Sequence, residues 1–477
     1  MGQEISHSGF SAAERDHFSA RLETETSLLE GWLQEGELGA GGYVAGLELE
    51  ACLVDDRMRP AACNEAFLER FHDPLASAEL ARFNIELNSP PHPVGGDFLR
   101  RIHDELAATW RRCHETAAEI GARVVMTGIL PTLQPTDLCL ANMSPMVRYR
   151  ALNEEVLAAR RGRPLHLNIS GREHLLHDHH DVMLESATTS FQLHLQVEPR
   201  RAARYYNAAL IATAPLVAAC ANSPYLFGRD LWDETRIPLF EQTVEIGGFD
   251  AAVFGPVRRA TFGSGYVRDS LFELFRENQA HYPPLLPTLL DEPAERLPHL
   301  ILHNGTIWRW NRPLVGFDSA GRPHLRIEHR SLPAGPSVVD SVANAALCYG
   351  LLHALADSEQ PAEERLPFAT ARDNFYRAAE HGLDTTITWF DGERVPLSEL
   401  LLERLLPQAR NALRERDCSR ADLDDYLGVI DERLRSGRTG AAWQRAYIAR
   451  HGADFTALSH ALYQGERSGE PVHRWPL

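Results

Sequence analysis

The 477-residue chain has little of what marks secreted or membrane-embedded proteins. It has 7 cysteines without a CxxC pair, so neither a disulfide scaffold nor a zinc ribbon is expected. Its N-terminus lacks the basic-then-apolar pattern of a signal peptide, and no uninterrupted apolar run reaches membrane-spanning length. We therefore expect a cytoplasmic protein that has no membrane partner.

Basic charge is also in short supply. The chain has 48 Lys and Arg against 66 Asp and Glu, a formal net charge of −18, which argues against a general nucleic-acid or anionic-membrane binder. A local basic pocket for phosphate remains compatible with this balance. Hydrophobic residues make up 44% and charged residues 24%, as in ordinary globular proteins, and the length suits one large domain with additions or two to three average ones.

What the sequence does contain is a pair of glutamates in an apolar predicted strand. Glu48 and Glu50 lie within Tyr43 to Val54 and project from one face, because side chains on a strand alternate. Burying two like charges is costly unless a cation neutralises them, and Mg²⁺ or Mn²⁺ prefers such oxygen ligands. The alternative is a wet outer face with both glutamates solvated. Cys52 lies on the same face, but nearby carboxylates raise a thiol pKa, so we expect it to be a packing residue.

Three further predicted strands carry polar residues on one face with a period of two. These are Asn84, Glu86 and Asn88 in Arg82 to Ser89; Ser190, Gln192, His194 and Gln196 in Glu185 to Val197; and Arg326, Glu328 and Arg330 in His324 to Arg330. Such polar faces either lie in solvent or point into a site. In His324 to Arg330, the arginines and the glutamate can alternatively form surface ion pairs, each worth under ~1 kcal/mol. If these strands share one antiparallel sheet, the polar faces form a charged trough.

The segment His177 to Asp181, HDHHD, has the composition of a metal site. Five adjacent residues cannot all converge on one ion, so a solvated turn is the favoured interpretation. A metallohydrolase that combines this segment with Glu48 and Glu50 remains an alternative function.

Helical periodicity dominates the two ends of the chain. Ser11 to Gln34 predicts an amphipathic helix with a capping box at Ser11 and Glu14. Beyond Pro336 the predicted elements are almost all helices, and the last is a single helix over Ala441 to Tyr463. His299 to Trp308 is predicted as a strand. We expect an N-terminal helix at 1–39, a catalytic antiparallel-sheet domain at 40–357 and a helical region at 358–477 packed on the same domain.

Five segments, in order, resemble the glutamate–cysteine ligase family of the carboxylate–amine ligase and glutamine synthetase superfamily. They are GLELE (46–50), NIELNSP (84–90), SFQLHLQ (190–196), HNGTIWRWNRP (303–313) and RIEHRSLPAGP (326–336). The resemblance spans roughly residues 40 to 350. It implies an α+β fold in which a curved antiparallel sheet forms a funnel flanked by helices. It also implies ATP and two or three Mg²⁺ ions, or Mn²⁺, as cofactors.

The resemblance also implies roles for named residues. The metal ligands it implies are Glu48, Glu50, Glu86, His194 and Glu328. The catalytic arginines it implies are Arg309, Arg312 and Arg330, and the cofactor-binding residues are Gln192, Arg236 and Arg268.

The implied activity is ATP-dependent ligation. A substrate carboxylate, that of glutamate, is activated as an acyl phosphate and joined to an amino-acid amine. The expected partners are amino acids and ATP, and a homo-oligomer is compatible with the sequence. No segment indicates which amine is the acceptor. A catalytically silent ATP- or amino-acid-binding protein on the same scaffold is the principal alternative, since a fold alone does not confer an activity.

Overall fold

A computed structural model describes residues 4–39, 41–246 and 258–477. Residues 1–3 of the predicted N-terminal unit, and residues 40 and 247–257 of the predicted catalytic domain, lie outside the described residues.

The described residues form an α+β fold, as predicted. The strands are β1 (Val44–Val54), β2 (Ala76–Ala78), β3 (Asn84–Asn88), β4 (His92–Pro93), β5 (Arg123–Val125), β6 (Leu165–Ser170), β7 (His174–His179), β8 (Phe191–Val197), β9 (Tyr225–Leu226), β10 (Arg229–Asp230), β11 (Ala260–Thr261), β12 (Trp308–Arg309), β13 (Asn311–Phe317), β14 (Pro323–His329), β15 (Thr386–Thr388) and β16 (Arg394–Pro396).

The α-helices surround these strands in space and dominate both ends of the chain. They are α1 (Ala12–Glu35), α2 (Asn64–Phe71), α3 (Phe98–Glu119), α4 (Val147–Ala159), α5 (Ala202–Cys220), α6 (Arg236–Thr243), α7 (Phe272–His281), α8 (Pro298–Gly305), α9 (Val338–Ala356), α10 (Ala362–Arg365), α11 (Phe368–His381), α12 (Leu397–Leu400), α13 (Leu406–Arg414), α14 (Arg420–Ser436), α15 (Gly440–His451) and α16 (Phe455–Arg467).

The main sheet is curved and antiparallel, and β1 lies at its centre. The strand order is β13-β14-β8-β1-β3-β2, while β4 and β5 pair with the two ends of β1. The register places Glu50 opposite Glu86 and His194 opposite Glu328. Residues that are far apart in the sequence therefore become neighbours on one face.

The two faces of this sheet differ in polarity because the side chains alternate. Leu49, Leu193 and Ile327 are at most 1% exposed and belong to the apolar core, where the sheet meets α5 and α9. Tyr349 of α9 donates a hydrogen bond to the carbonyl oxygen of Gly46 at 2.8 Å. The opposite face carries the polar residues, and we call this face the trough.

Helix α9 has the length and composition of a membrane span, although Asp340, Asn344 and His353 interrupt its apolar run. However, 83% of that apolar window is buried inside the protein, where α9 packs against α5, α13 and the sheet. Its hydrophobicity is that of a core helix.

Most predicted elements are confirmed, including the start of α1. The amide of Glu14 donates to Ser11 Oγ at 3.2 Å, and the amide of Ser11 donates to the Glu14 carboxylate at 2.8 Å. This reciprocal pair is the capping box that the sequence predicts.

Two predictions about helices are wrong. The segment His299 to Trp308, predicted as a strand, is mainly the helix α8. A residue of another helix stabilises its first turn: Glu25 of α1 accepts hydrogen bonds from the Leu300 amide at 2.9 Å and from His299 Nδ1 at 2.6 Å. Ala441 to Tyr463 is two helices, because Gly452 adopts a φ of 87° and Asp454 caps the second helix.

Two predictions around β8 are also wrong. The strand begins at Phe191, and the preceding Val182–Ala187 is a 3₁₀ helix. The segment predicted as a solvated turn, His177 to Asp181, instead begins inside strand β7, which pairs with β6.

Candidate active site

Three side chains meet at the centre of the trough. His194 Nε2 lies 3.4 Å from Glu48 Oε1 and 3.9 Å from Glu328 Oε1. In the part of the chain that the structure describes, this is the one group of three or more His, Cys, Asp or Glu residues whose ligand atoms all lie within 4.8 Å of one another. Both ring nitrogens of His194 are buried, and neither makes a hydrogen bond to another described residue. The donor set therefore fits a divalent cation such as Mg²⁺ or Mn²⁺.

Arginines neutralise the carboxylates on one side of this group. Arg312 holds Glu328 through two hydrogen bonds of 2.7 and 2.9 Å, and Arg330 Nη1 lies 3.1 Å from Glu328 Oε2. Burial alone would raise the pKa of Glu328, but Arg312, Arg330 and His194 lower it to about 2. Burial likewise opposes the charge of Glu48, and His194 brings its pKa well below the usual value. Both groups are therefore carboxylates at neutral pH.

Glu50 lies on the same face, two residues further along β1. Its carboxylate accepts hydrogen bonds from the Ser190 amide and hydroxyl, each at 2.7 Å, and from Gln192 Nε2 at 3.1 Å. Burial raises its pKa, and the charge of Glu86 across the strand pair raises it further. Glu86 in turn accepts from Asn88 Nδ2 at 2.8 Å. The two glutamates are thus fixed by neighbouring amides and hydroxyls on adjacent strands.

Glu50 also lines an open cleft, which we call the Glu50 cleft. Two acidic residues that the sequence analysis missed, Glu79 and Glu185, line it as well. Burial and the charge of Glu50 raise the pKa of Glu185 to about 7, and burial together with Glu86 raises that of Glu79 well above its usual value.

The sequence carries little signal for these two residues. In the predicted strand, Glu185 would lie on the same face as the apolar residue Phe191. Because Glu185 instead lies in a 3₁₀ helix, the alternation of a strand does not apply to it. Glu79 lies between β2 and β3, outside any periodic pattern.

Arg236 and Arg330 form the basic side of the Glu50 cleft. Arg330 Nη1 donates to Gln192 Oε1, and Arg236 Nη1 donates to Glu234 at 3.1 Å and to the Ser331 carbonyl at 3.2 Å. Gly128 permits the position of Arg236, because a Cβ atom there would lie 2.9 Å from Arg236 Cδ. The fold therefore brings Gln192, Arg236 and Arg330 together.

Two of the predicted residues lie elsewhere. Arg309 is fully buried and directs its hydrogen bonds to Asn278 at 2.6 Å and Glu277 at 2.9 Å, both on α7. Arg268 is exposed ahead of the same helix, and its backbone amide bonds to Glu273. The hydrogen bonds given for both residues are to α7, from the side chain of Arg309 and from the backbone of Arg268.

The histidine-rich segment does not converge on one point. Asp178 bonds to His166 at 2.6 Å on an exposed face, whereas His179 bonds to Asp181 at 2.7 Å on the buried face. Strand alternation explains this division, and it removes the geometric basis for a metallohydrolase built on the segment.

The fold and the family comparison define a carboxylate–amine ligase built on a curved antiparallel sheet. The family model described as "Glutamate-cysteine ligase family 2(GCS2)" matches residues 44–470. The chain belongs to this glutamate–cysteine ligase family.

Relatives in sequence and structure agree with this assignment. Two Rubrobacter xylanophilus proteins, provisionally named glutamate–cysteine ligases 2-3 and 2-1, are each 25% identical to the chain, over 424 and 450 residues. These alignments cover 86% and 92% of the chain and 94% and 99% of the relatives. The crystal structure of a Francisella tularensis glutamate–cysteine ligase in complex with AMP superposes with a TM-score of 0.52 and 13% identity, covering 90% of this chain and 89% of that one. That likeness concerns the fold.

Cys52 provides a test of whether the trough uses a thiol. The side chain is 4% exposed, and burial together with the charge of Glu50 raises the pKa of the thiol to about 12. We expect Cys52→Ala to retain the ligation rate of the parent enzyme within about threefold, at a stability cost of about 1 kcal/mol for the lost packing. Initial-rate assays and urea unfolding measure both quantities. A variant that folds and has lost ligation would show that the thiol takes part in the reaction.

Proposed function

We propose that this ligase depends on ATP and Mg²⁺, activates the side-chain carboxylate of glutamate as an acyl phosphate and joins it to the amine of a second amino acid. The observation that supports this proposal most directly is the group of Glu48, His194 and Glu328, with Arg312 and Arg330 bonded to the Glu328 carboxylate. Metal-assisted phosphoryl transfer needs this juxtaposition of cation ligands and positive side chains.

The metal would be held by residues of the trough. Glu48, His194 and Glu328 would provide one site, and Glu50 and Glu86 would be ligands of a second ion; Glu79, in the same cleft as Glu50, would join them. When bound, Mg²⁺ supplies positive charge that offsets the charge of the phosphates. One or two carboxylates together with substrate phosphates commonly suffice for a Mg²⁺ site.

The protein's own side chains then position and stabilise the reacting groups. In the first step, a carboxylate oxygen of the donor bonds to the γ-phosphorus of ATP, the bond to the β-γ bridging oxygen breaks, and ADP leaves. Arg330, fixed by Gln192 and Glu328, donates to the oxygens of the transferred phosphoryl group as charge develops on them. Arg236 lies close enough to the same cleft to bind a substrate carboxylate.

In the second step, the neutral amine of the acceptor attacks the acyl carbon. The carbon–oxygen bond to the phosphate breaks, inorganic phosphate leaves, and the amine nitrogen gives up a proton to the departing phosphate or to solvent as the amide forms. The chain has only to hold the acyl phosphate and the amine together and to limit the access of water, which would hydrolyse the intermediate.

A screen with pooled amino acids tests the proposal. The purified protein is incubated with Mg²⁺, ATP and twenty amino acids, and phosphate release and new masses are recorded. We expect amino-acid-dependent phosphate release together with an amide product, both abolished by omission of Mg²⁺ or of glutamate. Leaving out the other amino acids one at a time identifies the acceptor. ATP binding without phosphate release would instead support a binding protein on the same scaffold.

A further inference from the structure

Within the described residues, three side chains that line the Glu50 cleft carry hydrogen-bond acceptors without a donor: Glu79, Glu185 and Asn84. Glu79 is a proposed metal ligand, so Glu185 and Asn84 remain for a substrate. The carboxylate of Glu185 makes no hydrogen bond or ion pair within the described residues. Asn84 is 2% exposed, and its Oδ1 atom has no partner, while its Nδ2 atom donates to the carbonyl oxygen of Ser186 at 3.0 Å. That hydrogen bond fixes the amide next to the segment that carries Glu185. A buried acceptor without a partner is costly, so this wall of the cleft suits a ligand that donates hydrogen bonds.

The basic wall of the cleft has the complementary property. Arg236 is 3% exposed, and its buried Nε atom has no hydrogen-bond partner among the residues that the structure describes. Arg236 and Arg330 therefore offer donors in the same cleft in which Glu185 and Asn84 offer acceptors. The aromatic side chains of Phe240 and Trp310 line the cleft too and provide apolar surface. A ligand that matches all three features carries a carboxylate, an ammonium group and a short aliphatic chain, which is the description of an amino acid.

We propose that Glu185 and Asn84 bind the α-ammonium group of the donor amino acid and so select an amino acid over the dicarboxylic acid that lacks this group. The inference rests on the proposed ligase function and assigns a specificity to it. The donor is the substrate concerned for a chemical reason: its ammonium group takes no part in the reaction and can stay protonated against a carboxylate. The acceptor amine must instead lose its proton to attack.

A metal ion is the competing ligand for these two acceptors, because Glu50 and Glu79 of the same cleft are proposed ligands of a second ion. An ammonium nitrogen donates hydrogen bonds in three directions over about 2.9 Å, so it can donate to an amide oxygen and a carboxylate together.

Glu185→Gln tests the proposal, because it removes the charge and keeps the shape. The kcat/KM of the variant is measured with glutamate and with glutarate, which has the same two carboxylates and no ammonium group, at a fixed acceptor concentration and saturating Mg²⁺ and ATP. We expect kcat/KM for glutamate to fall on the order of 10- to 100-fold, as for loss of a hydrogen bond to a charged group. The value for glutarate should change less than about threefold, and the KM for ATP should not change. Glu154→Gln, an exposed glutamate on α4, is the matched control and should behave as the parent enzyme.

Several results would overturn the inference. An equal fall in kcat/KM with glutamate and with glutarate would assign Glu185 a structural role. A change confined to the KM of the acceptor would place Glu185 in the amine site. A raised Mg²⁺ requirement would make Glu185 a metal ligand. If the parent enzyme forms no amide, the proposed function fails by itself. Titration calorimetry of glutamate and glutarate against the parent protein and Glu185→Gln then tests the ammonium site by itself. If the parent protein prefers glutamate and the variant does not, the inference is supported. If the variant keeps the preference, the inference is overturned.

Discussion

Arg330→Ala is expected to fold normally and to lower kcat/KM for ligation on the order of 10²- to 10³-fold, or about 3 to 4 kcal/mol of transition-state stabilisation. Arg330 lies close to carboxylates of both proposed metal sites in the trough. Its guanidinium bonds to Gln192 and Glu328, and the charges of Glu328, Glu48 and Glu50 raise its pKa. The side chain is thus held in place before substrate arrives, which is the condition for a large electrostatic contribution to catalysis.

The variant should remain folded because Glu328 keeps a second partner. Arg312 bonds to both of its carboxylate oxygens, so the loss of Arg330 leaves no unpaired buried carboxylate. Arg330→Lys keeps the positive charge and loses the planar fork, and we expect it to recover part of the rate.

Steady-state kinetics of amide formation and thermal unfolding measure the two expectations for Arg330→Ala. Arg322→Ala is the matched control: its side chain is 74% exposed and pairs with Asp318 just before β14, so its removal should leave both quantities unchanged. Undiminished ligation by a folded Arg330→Ala protein would refute the role of Arg330 in phosphoryl transfer.

Asp340→Ala is expected to lower the free energy of unfolding by about 3 to 5 kcal/mol, the usual result of removing one partner of a buried ion pair. Asp340 Oδ1 lies 2.6 Å from Arg433 Nη2, and both side chains are at most 1% exposed. The second carboxylate oxygen accepts from the Val472 amide at 2.9 Å and from Ser337 Oγ at 2.7 Å. One carboxylate therefore connects α9, α14 and the C-terminal segment, and its loss leaves the Arg433 charge buried without its counter-ion.

Urea unfolding monitored by circular dichroism and by tryptophan fluorescence measures this effect. The control is Asp391→Ala, which removes an ion pair to Arg365 of the same 2.6 Å length. Because the Asp391 side chain is 66% exposed, we expect the free energy of unfolding to change by less than about 1 kcal/mol. Adding Arg433→Met to Asp340→Ala should recover part of the lost stability, because the unpaired charge is removed. A change below about 1 kcal/mol for Asp340→Ala would contradict the assignment of this pair as a structural link.

Much of the fold follows from local patterns. The alternation of apolar and polar residues identifies β1, β3, β8 and β14 and assigns their polar side chains to one face, and the structure confirms that face. The capping box at Ser11 fixes the start of α1 in the same local way. These predictions succeed because the periodicity of a strand and the capping of a helix depend on residues only a few positions apart.

Long-range contacts decided the elements that were predicted incorrectly. Glu25 of α1 stabilises the first turn of α8, 274 residues away, in a segment predicted as a strand. Arg309 and Arg312 lie in the same sequence segment, residues 303–313. Arg309 nevertheless forms its hydrogen bonds with α7, whereas Arg312 bonds to Glu328. No local pattern distinguishes these two arginines, because their partners lie on different elements.

The sequence by itself determined which strands have a polar face and which residues are chemically able to bind a metal or a phosphate, since both depend on side-chain type and a period of two. Only the tertiary structure decided that His194 lies between Glu48 and Glu328, and that Glu185, Asn84 and Arg236 line one cleft. The physical reason is that strand register and the packing of the loops between strands are set by the whole apolar core, to which residues from all parts of the chain contribute.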